Sequence, residues 1–276
     1  MSHTICWGEV LWDMFPEGKQ LGGAVSNVAF HLAQLGVSAA LISRVGDDEL
    51  GREAVERLSH HGVPTDLVQI DPDRPTGQVN VELENGEPRY SLSTGGAWEH
   101  IALTREARVA LAKASFLCVG TLAQRNRHGQ ETLAKALHEL NEGCSVVVDA
   151  NVRPVHLDHG WLRRTLASAT VVKINEAEAY LIDRELSHGD PVQWLHDELD
   201  VEVVALTLGK SGCVLSRNGV RAQHDGFEAA SGGDNVGAGD AFVAVLVCGL
   251  SLGWPLNIVA ERANQYAAFV ASHQGA

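Results

Sequence analysis

Short apolar runs, each followed by a glycine-bearing turn and then a helical segment, recur along this chain. That recurrence restricts the fold more than any other feature. Thr4 to Trp12 reads as a strand, with Gly8 and Glu9 inside it and Asp13 just beyond. Gly22-Gly23-Ala24-Val25-Ser26-Asn27 follows, then a helix over about 28–35 that stops at Gly36. Residues 37–43 form a second strand, and Gly46 to Gly51 is a turn opening a helix through His60 that ends at Gly62. Further helices are expected near 104–113, 129–141, 162–168 and 191–198, and further strands at 115–119, 145–151, 171–175, 203–207 and 213–216. A long helix starts at 237 and another covers about 255–272. Strand, turn and helix in this alternation predict an α/β fold with parallel strands joined by crossover helices.

Between residues 64 and 96 the pattern changes. Thr76 to Leu83 alternates with period two, Asn85-Gly86 is a strong hairpin turn, and Arg89 to Leu92 returns. Such a hairpin is either an edge decoration or a small β lid closing over a site. No internal repeat, low-complexity tract or linker interrupts the chain. One domain over 1–276 is expected, with an inserted lid built mainly from about 72–96 and part of 9–21.

The stretch Ser231-Gly232-Gly233-Asp234-Asn235-Val236-Gly237-Ala238-Gly239-Asp240 precedes the apolar run from Ala241 to Val247. The run reads as a buried helix, which places Gly237 to Asp240 at its N-terminus. Free N–H groups and the helix dipole attract anions there. A carboxylate at Asp240 would repel a phosphate unless its task is to take a proton from a hydroxyl attacking that phosphate. The other reading is an acid placed in a first turn for dipole reasons alone. Two familiar phosphate motifs are excluded. Gly209-Lys210-Ser211 imitates the end of a P-loop, but Val204 stands where its first glycine is required. Gly237-x-Gly239-x-x-Phe242 lacks the third glycine of a dinucleotide fingerprint and lies far from an opening βαβ unit.

The chain has 276 residues, is 45% apolar and carries a net charge of -14 with no basic run. Nucleic acid and anionic membranes are therefore not expected as partners. An anionic substrate would have to rely on local groups and a metal. The five cysteines show no paired spacing, which fits reduced thiols in a cytoplasmic protein. Ala241 to Trp254, the longest apolar stretch, is too short to span a bilayer, which takes about 20 residues. The thirteen histidines show no metal-ligand spacing.

Polar residues collect just after strands: Asp13, Asp149 with Asn151 and Arg153, Asn175 with Glu178, and Thr207 with Gly209. Open α/β sheets bind ligands outside the carboxyl ends of their strands, so these residues are candidates for one face. Each alone is equally a turn or cap residue.

These stretches carry a resemblance. Asp234-Asn235-Val236-Gly237-Ala238-Gly239-Asp240 resembles the D-T-x-G-A-G-D signature of the ribokinase-like (PfkB-type) sugar kinases, with Asn235 in place of the usual Thr. The resemblance implies that Asp240 is the general base and that Gly237, Ala238 and Gly239 form the anion hole. Asn175-Glu176-Ala177-Glu178 resembles the family's N-x-x-E motif, implying that Asn175 and Glu178 help to organise Mg²⁺ and phosphate. Gly22-Gly23-Ala24-Val25-Ser26-Asn27 resembles the N-terminal signature, implying that Gly22 and Gly23 let a sugar approach while Asn27 and Asp13 bind its hydroxyls. Asp149-Ala150-Asn151-Val152-Arg153-Pro154 and Ala97-Trp98 look fructokinase-like, and add Arg153 and Trp98 to the substrate side. Thr207 to Gly212 is similar to the nucleotide loop, which brings Thr207, Gly209 and Gly212, and Asn264 matches a position near adenine.

The implied fold is a three-layer α/β/α sandwich with a mostly parallel central sheet and a small β lid. The lid would pair with a second copy in a homodimer. The implied reaction moves the γ-phosphoryl of ATP to a sugar hydroxyl, with fructose first, 2-keto-3-deoxygluconate second and a nucleoside or riboside third. ATP and Mg²⁺ are the implied cofactors. The sequence ends at Ser272 to Ala276, where the family usually continues into a monovalent-cation loop, so K⁺ stays open beside them. Two rivals are a binding protein that kept the fold without the chemistry, and a Rossmann-type oxidoreductase.

Overall fold

A computed structural model describes residues 3–16, 18–84, 87–152, 158–273 and 275. By its contacts the chain forms two compact units, His3–Ala114 with Ala123–Glu142, and Ser115–Leu122 with Gly143–Ala276.

The first unit opens with β1 (Thr4–Trp7), β2 (Leu11–Phe15) and β3 (Gly18–Gly22), then α1 (Ala24–Gln34) and β4 (Ala39–Gly46). It continues through α2 (Glu49–His60), β5 (Val68–Asp71), β6 (Gly77–Glu84), β7 (Glu87–Leu92), α3 (Arg105–Leu111) and α4 (Arg127–Leu137). Strand β1 pairs in parallel with β4, and β4 with β5. Ile5, Leu41 and Ile42 on these strands and Ala29 and Leu32 on α1 are fully buried.

The single strand expected from Thr4 to Trp12 is instead two. The chain breaks at Gly8, where a Cβ would fall 2.6 Å from Val25 Cγ2 on α1. It then enters a separate small sheet of order β3-β2-β6-β7. In it β2 runs antiparallel to β3 and parallel to β6, while β6 and β7 pair antiparallel. The small sheet thus recruits residues on both sides of position 17 as well as the hairpin expected at 76–92. The turn at Asn85-Gly86 lies outside the described residues. Helix α1 also begins at Ala24, four residues before the expected start at 28. Gly23, at φ +112°, serves as its N-cap and needs no side chain to do so.

The second unit contains β8 (Phe116–Gly120), β9 (Ser145–Asp149), α5 (His159–Ala167), β10 (Val171–Asn175), α6 (Glu176–Ile182) and α7 (Pro191–Leu199). It ends with β11 (Val203–Thr207), β12 (Cys213–Arg217), β13 (Val220–His224), α8 (Ala238–Ser251) and α9 (Leu256–Ala271). Strands β8, β9, β10 and β11 lie side by side in parallel. Strands β12 and β13 extend the sheet antiparallel. The hairpin joining them turns at Asn218 and Gly219, with φ +50° and +78°. Asn-Gly with two positive φ values is the signature of a tight hairpin, so β13 was legible in the sequence, although it was not among the expected strands.

Parallel strands covered on both faces read as unbroken apolar runs. Val146 to Val148 and Val203 to Ala205 obey this and are buried. Helix α8 is buried on every side from Ala241 to Val247, as an all-round apolar helix must be. Among the described residues no helix is long and apolar enough to cross a membrane.

Candidate active site

Strands β9, β10 and β11 of the second unit end in polar residues, and Lys173 on β10 lies against the first turn of α8. Gly237, at φ +75°, is the N-cap of that helix, a left-handed position that suits glycine. The turn closes through Ala241 N–H, which donates to Gly237 O at 2.8 Å. Asp240 sits in this first turn with 9% of its surface exposed. A Cβ on Gly239 would lie 3.2 Å from Lys173 Nζ, so the glycine leaves room for an ammonium directly against the turn.

That ammonium belongs to the middle of β10. Lys173 lies in register with Asp149 on β9, and Nζ donates to Asp149 Oδ1 at 3.0 Å. Burial alone would lower the pKa of Lys173. The charges of Asp149 and Glu178, the hydrogen bond to Asp149 and the charge of Asp240 overcome this and hold it above the usual lysine value. Lys173 was not singled out from the sequence, and Asp149 was named there only as one of the polar residues that follow strands. The signal was present: a lysine inside Val171-Val172-Lys173-Ile174, where each other member is buried and apolar.

Asn175 and Glu178 are brought together at the start of α6. Asn175 is the N-cap, and its Oδ1 accepts from Glu178 N–H at 2.9 Å. Glu178 Oε2 accepts from Asn175 N–H at 2.8 Å, and its Oε1 accepts from Val152 N–H at 3.0 Å. The N-x-x-E motif is thus a reciprocal capping box. Burial, followed by the charge of Asp149, raises the pKa of Glu178 against the pull of Lys173 and of these N–H groups. A carboxylate oxygen has two lone pairs, so each Glu178 oxygen can accept a second contact beside its backbone donor.

Thr207 pairs in register with Asn175 across β10 and β11. The turn after it is held by Leu208 N–H donating to Gly212 O at 2.8 Å. Gly209 and Gly212 both have positive φ, and a Cβ on Gly212 would fall 1.8 Å from His224 O. The glycines here are therefore set first by the chain's own packing. Asn264 is buried in α9, and its Nδ2 donates to Ala260 O at 2.7 Å and to Cys213 Sγ at 3.0 Å. Both amide hydrogens expected near adenine are thus committed inside the protein. Asp234 Oδ1 accepts from Val236 N–H and Oδ2 from Gly275 N–H. The carbonyl of neighbouring Asn235 accepts from Ala238 N–H. Arg153 lies outside the described residues.

The first unit gathers the residues expected on the sugar side. Asp13 is half-buried on β2, and a Cβ on Gly22 would sit 2.4 Å from its Oδ2. A Cβ on Gly23 would sit 2.4 Å from Glu9 O, so both glycines permit close approach. Asn27 stands in the first turn of α1, its N–H donating to Gly23 O at 2.9 Å. Glu9, buried and not expected as a site residue, accepts from Ala24 N–H at 3.0 Å.

Trp98 is fully buried, with the Arg125 guanidinium 4.7 Å above its ring. Its indole nitrogen abuts β6, since a Cβ on Gly77 would fall 2.3 Å from Nε1. Arg125 pairs with Glu99 at 2.6 Å, and Glu99 also accepts from Gly95 and Gly96 N–H. Trp98, expected on the substrate side, is in this structure a packed support beneath a buried ion pair.

The chain was compared with known proteins. Residues 14–276 match the model of the pfkB family carbohydrate kinases. A fructokinase of Escherichia coli is 30% identical over 267 residues, which span 88% of this chain and 83% of the relative. An uncharacterized sugar kinase from Pyrococcus horikoshii, solved in complex with ATP, is 25% identical and superposes with a TM-score of 0.84 over 100% of this chain and 95% of the other. A Vibrio cholerae fructokinase, solved in its fructose-, ADP- and calcium-bound form, matches in fold at a TM-score of 0.84 and 24% identity, over 100% and 94% of the two chains. The parallel strands and the separate small sheet are those of a ribokinase-like α/β fold. The chain belongs to the PfkB family of carbohydrate kinases.

Proposed function

We propose that this kinase phosphorylates fructose to fructose 6-phosphate at the expense of ATP. The observation that carries the reading is the single cluster of Asp149, Lys173, Glu178 and Asp240 against the glycine turn of α8. The similarity to bacterial fructokinases at about 30% identity supports the choice of sugar.

In this reading Asp240 accepts the proton of the attacking sugar hydroxyl. The new O–P bond forms at the γ-phosphorus as the bond to the β-phosphate oxygen breaks, and ADP carries away the electron pair. The N–H groups of Gly237 and Gly239 face the charge that develops on the transferring group, and that of Ala238, which donates to Asn235 O in this structure, joins them on leaving that carbonyl. Asp13 and Asn27 bind sugar hydroxyls, with Gly22 and Gly23 leaving space for them. Thr207, Gly209 and Gly212 shape the nucleotide side. The donor set suits Mg²⁺ held through water: Glu178 has both oxygens engaged by backbone N–H, and each can accept a second contact. When bound, the ion would neutralise phosphate charge, with Glu178 and Asn175 orienting its water ligands.

The small sheet acts as a lid that excludes water, and serves as the face through which two copies pair. A cytoplasmic setting is supported by Cys6, Cys118, Cys144, Cys213 and Cys248 all being free thiols.

The test is ADP release from Mg-ATP across fructose, 2-keto-3-deoxygluconate, ribose, adenosine and aminoimidazole riboside, with and without potassium. The highest kcat/KM on fructose is expected. Preference for another sugar would overturn the substrate. Sugar and ATP binding without turnover on any of them would overturn the catalytic reading.

A further inference from the structure

We propose that Lys173 is a positioning residue for phosphoryl transfer: its buried ammonium ties Asp149 at the end of β9 and Glu178 on α6 to the first turn of α8, and so fixes where Asp240 and the Gly237–Gly239 amides stand. The proposal rests on the kinase reading of Asp240.

Three observations carry it. Lys173 is only 6% exposed, in a strand whose neighbours Val172 and Ile174 are wholly buried. Its Nζ is bonded to Asp149 Oδ1 at 3.0 Å, and it feels the charges of Glu178 and Asp240. It also lies so near the α8 turn that a Cβ on Gly239 would be 3.2 Å away.

Fold stability alone does not call for this arrangement. A cation at a helix N-terminus opposes the helix dipole. A buried ion pair is often no more stable than well-packed apolar residues of the same volume. An ammonium among carboxylates from three separate elements does achieve something an apolar side chain cannot. It sets the distances between a base, a metal-side carboxylate and an anion-binding turn. It also leaves the cluster with positive charge on the side where helix N–H groups already favour a phosphoryl anion.

The experiment compares wild type with Lys173→Met, Lys173→Arg and the double variant Lys173→Met/Asp149→Asn. The double variant removes both members of the pair and leaves no unpaired charge between them. Thermal unfolding, Mg-ATP affinity by calorimetry, and kcat and KM for the sugar are measured for each. The double variant should recover most of the melting temperature lost in Lys173→Met. It should bind Mg-ATP and sugar within about fivefold of wild type, yet keep a kcat reduced roughly 100-fold, the scale of an ångström-sized misplacement of reacting groups. A double variant with kcat within about threefold of wild type would show that the pair serves packing alone, and would overturn the proposal.

A second arm does not depend on turnover or on the Lys173 variants folding. The ¹⁵N-ammonium resonance of Lys173 should shift in Asp240→Asn relative to wild type. An unmoved resonance would overturn the link between Lys173 and Asp240. If wild type turns over no sugar, the kinase reading falls, and this resonance still decides whether Lys173 holds the α8 turn.

Discussion

Lys173 and Asp149 face each other in register on adjacent parallel strands, Nζ 3.0 Å from Oδ1, with neither side chain more than 8% exposed. The two residues are therefore not independent. Asp149→Ala takes away the carboxylate hydrogen-bonded to this interior ammonium and leaves only the charges of Glu178 and Asp240 near it; breaking a buried pair typically costs about 3–5 kcal/mol. Adding Lys173→Met to Asp149→Ala removes that charge and should restore at least half of the loss. Urea unfolding of the two singles and the double, read as a double-mutant cycle, checks this. Additive losses would mean that the pair contributes no coupling energy.

Gly22 and Asp13 give a second test, on the substrate side. A Cβ at Gly22 would stand 2.4 Å from Asp13 Oδ2, and the flexible end of the carboxylate is what must move. Gly22→Ala should thus lose only about 1–3 kcal/mol of stability, the usual range for added bulk at a packed position. Its effect on sugar binding should be larger: a rise of roughly tenfold or more in sugar KM, with the KM for ATP unchanged. Steady-state kinetics with each substrate varied in turn make the comparison. Equal effects on both KM values would place Asp13 outside the sugar site.

The α/β alternation was readable because the buried strands are short apolar runs closed by turns. The glycine turn of α8 was readable for the same local reason: its chemistry is carried by consecutive residues. What was not readable depends on partners far apart in sequence. Part of 9–21 was expected in the lid, but nothing in Thr4 to Trp12 says that the strand must break at Gly8 against Val25 before Leu11–Phe15 enters the other sheet. Nor does Lys173 announce Asp149, 24 residues upstream, as its partner. Asn264 matched a position near the nucleotide, but a side chain's type does not reveal that its donors are taken by Ala260 and Cys213. The N-x-x-E pattern is a helix-capping signature in its own right. Its geometry as a capping box was therefore foreseeable, whereas a part in organising metal rests on the resemblance.

His31 sets a pH dependence of stability. It is buried on α1, and burial lowers its pKa from 6.5 to about 4. The folded state keeps the ring neutral over a range in which the unfolded chain takes up a proton. The unfolded state binds more protons there, so stability rises with pH across roughly 4 to 6.5 and is complete above it. Between pH 7.5 and 5 the loss from this group should be roughly 2 kcal/mol, at 1.36 kcal/mol per unit of displacement. Urea midpoints at the two pH values test this in wild type and in His31→Leu. The leucine variant should show a smaller difference, and an unchanged difference would assign the acid sensitivity to other groups.

Asp240 carries the sharpest kinetic prediction. It is buried in the first turn of α8, near enough to Lys173 to help hold that ammonium protonated. Asp240→Asn keeps the shape of the side chain but removes its negative charge and its ability to accept a proton. If the carboxylate is the base, kcat should fall roughly 10²–10⁴-fold, the usual contribution of a positioned general base. Calorimetric affinities for Mg-ATP and sugar should stay within a few-fold, because neither ground-state complex needs the proton moved. A carboxylate present for the helix dipole alone would predict the opposite pattern: a small loss of stability, about 0.3–1 kcal/mol, and turnover close to wild type. Measuring kcat beside the melting temperature of this one variant separates the two roles.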